Sequence, residues 1–279
     1  MRTAPPLPLS LKGRGMLETG LDILITYNPW TLSAHATAVE VARQFDEMAL
    51  TSWPVVDDDG HLLGSVSTHE LATALASSET ATQPIANFMD RSLLHVAPGT
   101  CPLDALQLML DEAVDLLPVV DQQRVVGTLT TSDFLRELSY GESPVAHDSV
   151  VQHLTKPTDA IDGELSLEQA YEALLAAGKN ALPVVQGDFP LGAISRRRLR
   201  RLQTQSLVRQ LRGDRPVATT LGYWMQSTPS LTPGRSLGEA ASLMVEHQLH
   251  ALAVTNQAAH LLGIITEDQI LAAILHYER

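Results

Sequence analysis

Cysteine, long apolar runs and excess positive charge are all scarce in this chain, and each scarcity excludes a class of protein. Cys101 is the only cysteine, so no intramolecular disulfide can form. It precedes Pro102 at an expected helix start, where an inert small residue is a simpler reading than a reactive thiol. No apolar run approaches the roughly 20 residues that span a bilayer. The formal net charge of −13 favours solubility and argues against general nucleic-acid binding. No P-loop, G-x-S-x-G elbow or H-E-x-x-H is present, and no pair of carboxylates has a recommending spacing. His247 and His250 read as i, i+3 neighbours on one helix, but nothing nearby supplies the further ligands of a zinc site. The first sixteen residues are rich in Pro and Gly, lack a signal-peptide core and read as a disordered extension, with Met16 as an alternative start. Together these absences predict a cytoplasmic, non-membrane, non-enzymatic protein with no catalytic residue, no metal and no required cofactor.

What is present is a repeat. A short apolar strand with proline recurs at intervals of about 65 residues: SWPVVD (Pro54), LLPVVD (Pro118), ALPVVQ (Pro183) and ALAVTN, where Ala253 replaces proline. Each is followed by glycine, two small or apolar residues and a hydroxyl: GSVS (Gly64, Ser67), GTLT (Gly127, Thr130), GAIS (Gly192, Ser195) and GIIT (Gly263, Thr266). A helical pattern precedes and follows each phrase. Val39, Ala42, Phe45 and Met48 form one apolar stripe, and Leu103, Leu106, Met109 and Leu110 another. Asp58-Asp59-Gly60 marks the turn between the two strands of the first repeat. Each unit reads strand, helix, strand, strand, helix, and is too small to bury its apolar surface alone.

The four phrases in register resemble cystathionine-β-synthase (CBS) repeats, which pair into Bateman modules. The segments before each helix, such as IANFMDRSLLHVAPGT and LGYWMQSTPSLTPGR, fit the same pattern. The resemblance implies an α/β fold of four repeats in two paired modules. The expected boundaries are an extension at 1–20, repeats at 21–80, 84–140, 149–212 and 219–279, and a linker at 141–148. Four repeats in one chain are expected to close on one another; a homodimer of stacked modules is the alternative.

The glycine–hydroxyl phrase has two readings. Thr130 and Asp133 sit three residues apart at an expected helix start, so both side chains face one opening. Free N–H groups at a helix N-terminus favour anions, and a carboxylate accepts hydrogen bonds from ribose hydroxyls. The same pair also reads as a capping box. Ser67 and Glu70 occupy these positions in the first repeat. The third has Ser195 and Arg198, and the fourth has Thr266 and Gln269, so the N-terminal pair reads as the better site. Asp268, one residue off, is expected to face elsewhere. The family resemblance implies that these positions serve adenosine-containing ligands, with Val96, Leu117 and Trp53 as candidates for the adenine slot. Trp53 also reads as a core aromatic.

The sharpest local anomaly is the stretch 196–215, which holds eight arginines and one acid, Asp214, for a net of +7 that leaves −20 on the remainder. Leu199, Leu202 and Leu211 suggest a helix with an apolar seam. Three readings stay open: a solvated helix pairing with acidic surface of the same protein, phosphate contacts from Arg196, Arg197 and Arg198 in the sister site, or docking of an acidic partner or nucleic acid. The function expected is regulatory. An adenosine-containing ligand (AMP, ADP, ATP or S-adenosylmethionine) binds the modules, and an effector protein reads the change. A structural scaffold with degenerate sites is the rival.

Overall fold

The structure, a computed structural model, describes residues 20–44, 52–141, 143–156, 159–187, 189–211, 220–225 and 228–278. The expected N-terminal extension, Phe45, Met48, Asp214 and the last arginines of the basic stretch lie outside them, as does the side chain of Leu211.

Four units follow the expected order. The first holds β1 (Thr26–Tyr27), β2 (Leu32–Ser33), α1 (Ala38–Gln44), β3 (Ser52–Val56), β4 (Leu62–Ser67), α2 (Thr68–Leu75) and α3 (Ser78–Ala81). The second holds α4 (Pro102–Asp111), β5 (Leu116–Asp121), β6 (Arg124–Thr130) and α5 (Thr131–Ser139). The third holds β7 (Ile161–Asp162), α6 (Leu167–Ala176), β8 (Ala181–Gln186), β9 (Phe189–Ser195) and α7 (Arg196–Leu211). The fourth holds α8 (Leu221–Met225), β10 (Ser230–Leu231), α9 (Leu237–His247), β11 (Ala251–Thr255), β12 (Leu261–Thr266) and α10 (Glu267–Glu278). Each unit has an antiparallel hairpin. In the first, third and fourth a short parallel strand joins it, giving sheets β2-β3-β4, β7-β8-β9 and β10-β11-β12. In the second that place shrinks to a bridge between Val96 and Val119. All four hairpins carry a register shift just after the proline strand's centre, at Val55/Val56, Val119/Val120, Val184/Val185 and Val254/Thr255.

The recurrent glycines have a structural cause. The segment leading into one repeat crosses the glycine strand of its sister. β1 pairs with β6, and Asp90 pairs with Ser65 of β4. A Cβ on Gly64 would lie 2.1 Å from the Asp90 carbonyl oxygen, and one on Gly127 would lie 2.3 Å from Ile25 Cγ2. In the C-terminal half Thr155 crosses Gly263 in the same way, and Thr228 lies against Gly192. The glycine therefore admits the sister repeat's crossing segment, its backbone at Gly64 and Gly263 and its side chains at Gly127 and Gly192.

The repeats satisfy one another's apolar faces in a cycle. Repeats 1 and 2 meet through β3 and β5, and repeats 3 and 4 through β9 and β11. Between modules, α2 packs on α7, α5 on α9 and α4 on α10. The largest core joins repeats 2 and 4, with Leu106, Phe134, Leu237, Met244 and Ile274 buried together. Val208 of α7 enters the core of repeat 1, beside Trp53 and Leu71. Leu199 and Leu202 are buried, so the described part of the basic stretch, α7, is a helix with an apolar seam. The segment read as the linker is packed as well: Val145 and Ala146 are buried against the second and fourth repeats.

Candidate functional site

Two neighbouring cavities lie where the modules meet, and helix N-termini build both. The larger, about 320 Å³, lies under the starts of α7 and α10. Ser195, Arg196 and Arg197 come from one helix start and Thr266, Glu267 and Asp268 from the other; Met109, Leu110 and Ala113 of the second repeat form an apolar wall. The smaller, about 290 Å³, is lined by Ser67 to Glu70 at the start of α2, Asp115, and Arg197 and Arg200 of α7. Both volumes are at the low end for small-molecule sites. Arg197 lines both cavities.

These helix starts recur because each motif hydroxyl is an N-cap. The backbone N–H of the next residue is held by a carbonyl just before the proline strand: Thr131 to Asp115 at 3.1 Å, Arg196 to Asn180 at 2.8 Å and Glu267 to His250 at 2.9 Å. The carboxylate or amide three residues on closes the box. Ser67 donates its N–H to Glu70 at 2.8 Å, and its hydroxyl also bonds that carboxylate. The Thr130 N–H and hydroxyl donate to Asp133 Oδ2 at 2.8 and 2.6 Å. The Thr266 N–H donates to Gln269 Oε1 at 2.8 Å.

Asp133 is 5% exposed, and Arg136 donates to its second oxygen at 2.7 Å. Burial pushes its carboxyl above the usual range, against the opposing pull of Thr130 and Arg136. Thr130 and Asp133 line neither central cavity. Leu117 and Trp53 are core residues with 0% and 1% exposure, and Val96 is buried between Pro118 and Val120 in the strand ladder. Ser67 and Glu70 line the smaller cavity and Thr266 the larger. Gln269 also donates to the His153 carbonyl at 2.8 Å and the Thr155 hydroxyl at 2.6 Å, latching the crossing segment of repeat 3.

The arginines divide. Arg196 and Arg197 line the larger cavity, and Arg197 approaches Glu267 at 3.6 Å. Burial works against the Arg197 charge, but Asp115, Glu267 and Asp268 outweigh it and raise its pKa. Arg198 turns away from both, toward Trp224 and the Gln248 carbonyl at 3.4 Å; burial and then Arg201 bring its pKa down to about 10. Arg200 donates to His69 at 2.6 Å and lies 4.7 Å over the Tyr171 ring.

Two sequence expectations need correction. His247 and His250 do not share a helix: α9 ends at His247, and Gln248 caps it in the left-handed region at φ 53°. His250 instead bonds the carboxylate of Glu267. Asp268 does not face elsewhere. The cavity sits over the start of α10, where no preceding helical turn covers the first residues, so Thr266, Glu267 and Asp268 all line it. Glu267 is the residue that sequence reasoning missed. It is 1% exposed, and although burial pushes its carboxyl up, His250 and Arg197 outweigh burial and hold it at about 2. The available signal was an acid directly after the motif hydroxyl, where the other repeats have Thr68, Thr131 and Arg196.

Among the described residues, Asp57, Asp59 and His61 cluster at the first hairpin turn. Asp57 already accepts from the backbone N–H of both others, so the cluster is a turn motif. No helix among the described residues is long and apolar enough to cross a membrane.

Paired β-α-β-β-α repeats, crossed leading segments and clefts at helix N-termini define a class of tandem-repeat α/β proteins. The CBS domain model matches residues 21–77, 85–140 and 221–276, and the chain belongs to that family. The third repeat, which that model does not match, has the same element order. Its motif departs most, with arginines after the hydroxyl. Protein MJ1225 of Methanocaldococcus jannaschii, described as a candidate archaeal homologue of gamma-AMPK, superposes with a TM-score of 0.71 at 17% identity, covering 91% of this chain and 99% of that one. A conserved protein from Pyrococcus horikoshii gives 0.60 at 22% identity, covering 92% and 100%. In sequence, a 33.4 kDa protein in the ribosomal RNA operon of Thermofilum pendens is 23% identical over 66% of this chain. The match spans 64% of that relative's length.

Proposed function

We propose that the chain is a regulatory protein that binds an adenosine-containing ligand in its central cavities and signals the bound state to a partner protein. The observation that carries this is the convergence of three capped helix N-termini and Arg197 on two adjoining cavities. N-terminal N–H groups and a guanidinium suit phosphate or carboxylate groups, and the Met109–Ala113 wall suits an apolar base. Ser67, Glu70, Thr266, Arg196 and Arg197 are the contacts proposed; Arg198, turned toward Trp224 and Gln248, is not among them. Asp133 lines neither cavity and would take a ribose only at a separate site at the start of α5, where Arg136, whose side chain is 43% exposed, is the partner that a ribose would displace. A ligand shifts the module arrangement only through its different affinity for two states. A site shared by both modules gives it that leverage.

Calorimetric titration of AMP, ADP, ATP and S-adenosylmethionine into the whole chain and Arg197→Gln tests this. We expect at least one of them to bind, with a loss of about tenfold in the variant, or roughly 1.4 kcal/mol. No binding by any of them would leave the scaffold reading, which the internally satisfied caps at Ser67, Thr130 and Thr266 favour.

A further inference from the structure

The two central cavities use only part of the basic stretch. Arg198 and Arg201 turn to the other flank of α7 and line a separate cavity of about 210 Å³, against Trp224 of α8 and the end of α9. Their guanidinium groups converge on Gln248: Arg198 donates to its carbonyl at 3.4 Å and Arg201 to its side-chain oxygen at 2.6 Å. Gln205, one turn further along α7, and His247 also line the space. A third guanidinium, that of Arg209, stacks over the Trp224 ring at 5.5 Å. No carboxylate lines this cavity among the described residues. The negative end of α9 faces the arginines, but it amounts to about half an elementary charge. Arg197, one residue away, has Asp115, Glu267 and Asp268 to raise its pKa, whereas burial and then Arg201 bring that of Arg198 down to about 10. A charge taken out of water without a counter-charge is costly. The space is also smaller than the range of about 300–1,000 Å³ for small-molecule pockets, so its occupant is compact.

We propose that this cavity binds a compact oxyanion of the phosphate type, held by Arg198 and Arg201, with His247 and the side-chain amides of Gln205 and Gln248 as further donors. The planar fork of arginine offers paired N–H groups to such oxygens. The site lies outside the two cavities proposed for adenosine compounds and does not depend on them. The same chemistry could come from free phosphate or from the phosphoryl group of a nucleotide; the small volume favours free phosphate.

Calorimetric titration of inorganic phosphate, at an ionic strength held constant with sodium chloride, into the whole chain, Arg198→Gln and Arg197→Gln tests this. Expected is saturable binding at millimolar concentration, weakened about tenfold in Arg198→Gln and unchanged in Arg197→Gln. AMP titrated into Arg198→Gln should bind as it does to the unaltered chain. His247→Ala, at an exposed position, should weaken phosphate about threefold and gives the reading if Arg198→Gln does not fold. Absence of saturable phosphate binding, or phosphate binding insensitive to both Arg198→Gln and His247→Ala, overturns the inference. Loss of AMP affinity in Arg198→Gln also overturns it, because the anion would then be part of the nucleotide.

Discussion

The helix starts of the second and fourth repeats hold two buried carboxylates with opposite fates. Asp133, three residues after the hydroxyl of its motif, has one oxygen on the Thr130 cap and the other on Arg136. Burial raises its pKa and its neighbours do not overcome that. Glu267, one residue after the hydroxyl, is more deeply buried, and although burial pushes its pKa up, His250, Arg197 and the Thr131 hydroxyl hold it at about 2. Asp133 has the position expected of a ligand residue and has both oxygens in use. Glu267 has an unremarked position and belongs to a residue cluster drawn from three repeats around a cavity. What a buried carboxylate does is set by the partners that other repeats bring to it, and motif position alone does not report that.

Removing the partner of Glu267 should have the largest effect. His250→Ala leaves a buried carboxylate with Arg197 and the Thr131 hydroxyl as its remaining neighbours and should cost about 3–5 kcal/mol of stability by denaturant titration, the range for breaking a buried pair. A loss below about 1 kcal/mol would mean that water reaches Glu267 and that its environment is not as described.

Crossing of the leading segments is next. Gly64→Ala places a Cβ against the Asp90 carbonyl, and we expect about 1–3 kcal/mol of overpacking cost. Ala at Gly99, which has nothing within 4 Å of an added Cβ, is the control and should be tolerated. Equal midpoints for the two variants would break the explanation of the repeated glycine.

The pH dependence separates the carboxylates by sign. Glu267 has a depressed pKa, so its stabilisation is present above pH 4.5 and is lost as pH falls toward about 2. Asp133 has a raised pKa, so its ionisation costs stability as pH rises above 3.8. Denaturant titrations across pH should show Glu267→Gln flattening the acid limb and Asp133→Asn steepening the net gain of stability as pH rises. The same pH profile for both variants would contradict the assignment.

The smallest effect on the fold is the cap. Asp133→Ala and Gln269→Ala should each cost about 1 kcal/mol of stability. If Asp133 also holds a ribose, its variant alone should lose about 1.5–3 kcal/mol of ligand binding, the range for hydrogen bonds to a charged group. Unchanged calorimetric affinity would confine Asp133 to capping.

The fold was legible because its determinants are local and repeated. Proline strand, glycine, hydroxyl and helix periodicity recur in register, and each can be read within about ten residues. Much of the site was not legible because it is assembled across repeats. Glu267 meets His250 from before β11 and Arg197 from the third repeat, and no spacing in the chain reports that meeting. The role of Gly64 was hidden for the same reason, since the backbone that it admits belongs to the sister repeat. Gln269 shows the converse. Its lack of charge was visible, but its latch on His153 and Thr155 required the crossing segment to be seen.

The central claim is that adenosine-containing ligands bind and stabilise this protein, and thermal denaturation of the whole chain tests it most directly. With AMP, ADP, ATP or S-adenosylmethionine at about 100 times Kd, the account predicts roughly 2.7 kcal/mol of added stability for at least one compound, with a smaller shift for GTP. No rise in Tm with any adenosine compound at millimolar concentration would contradict it.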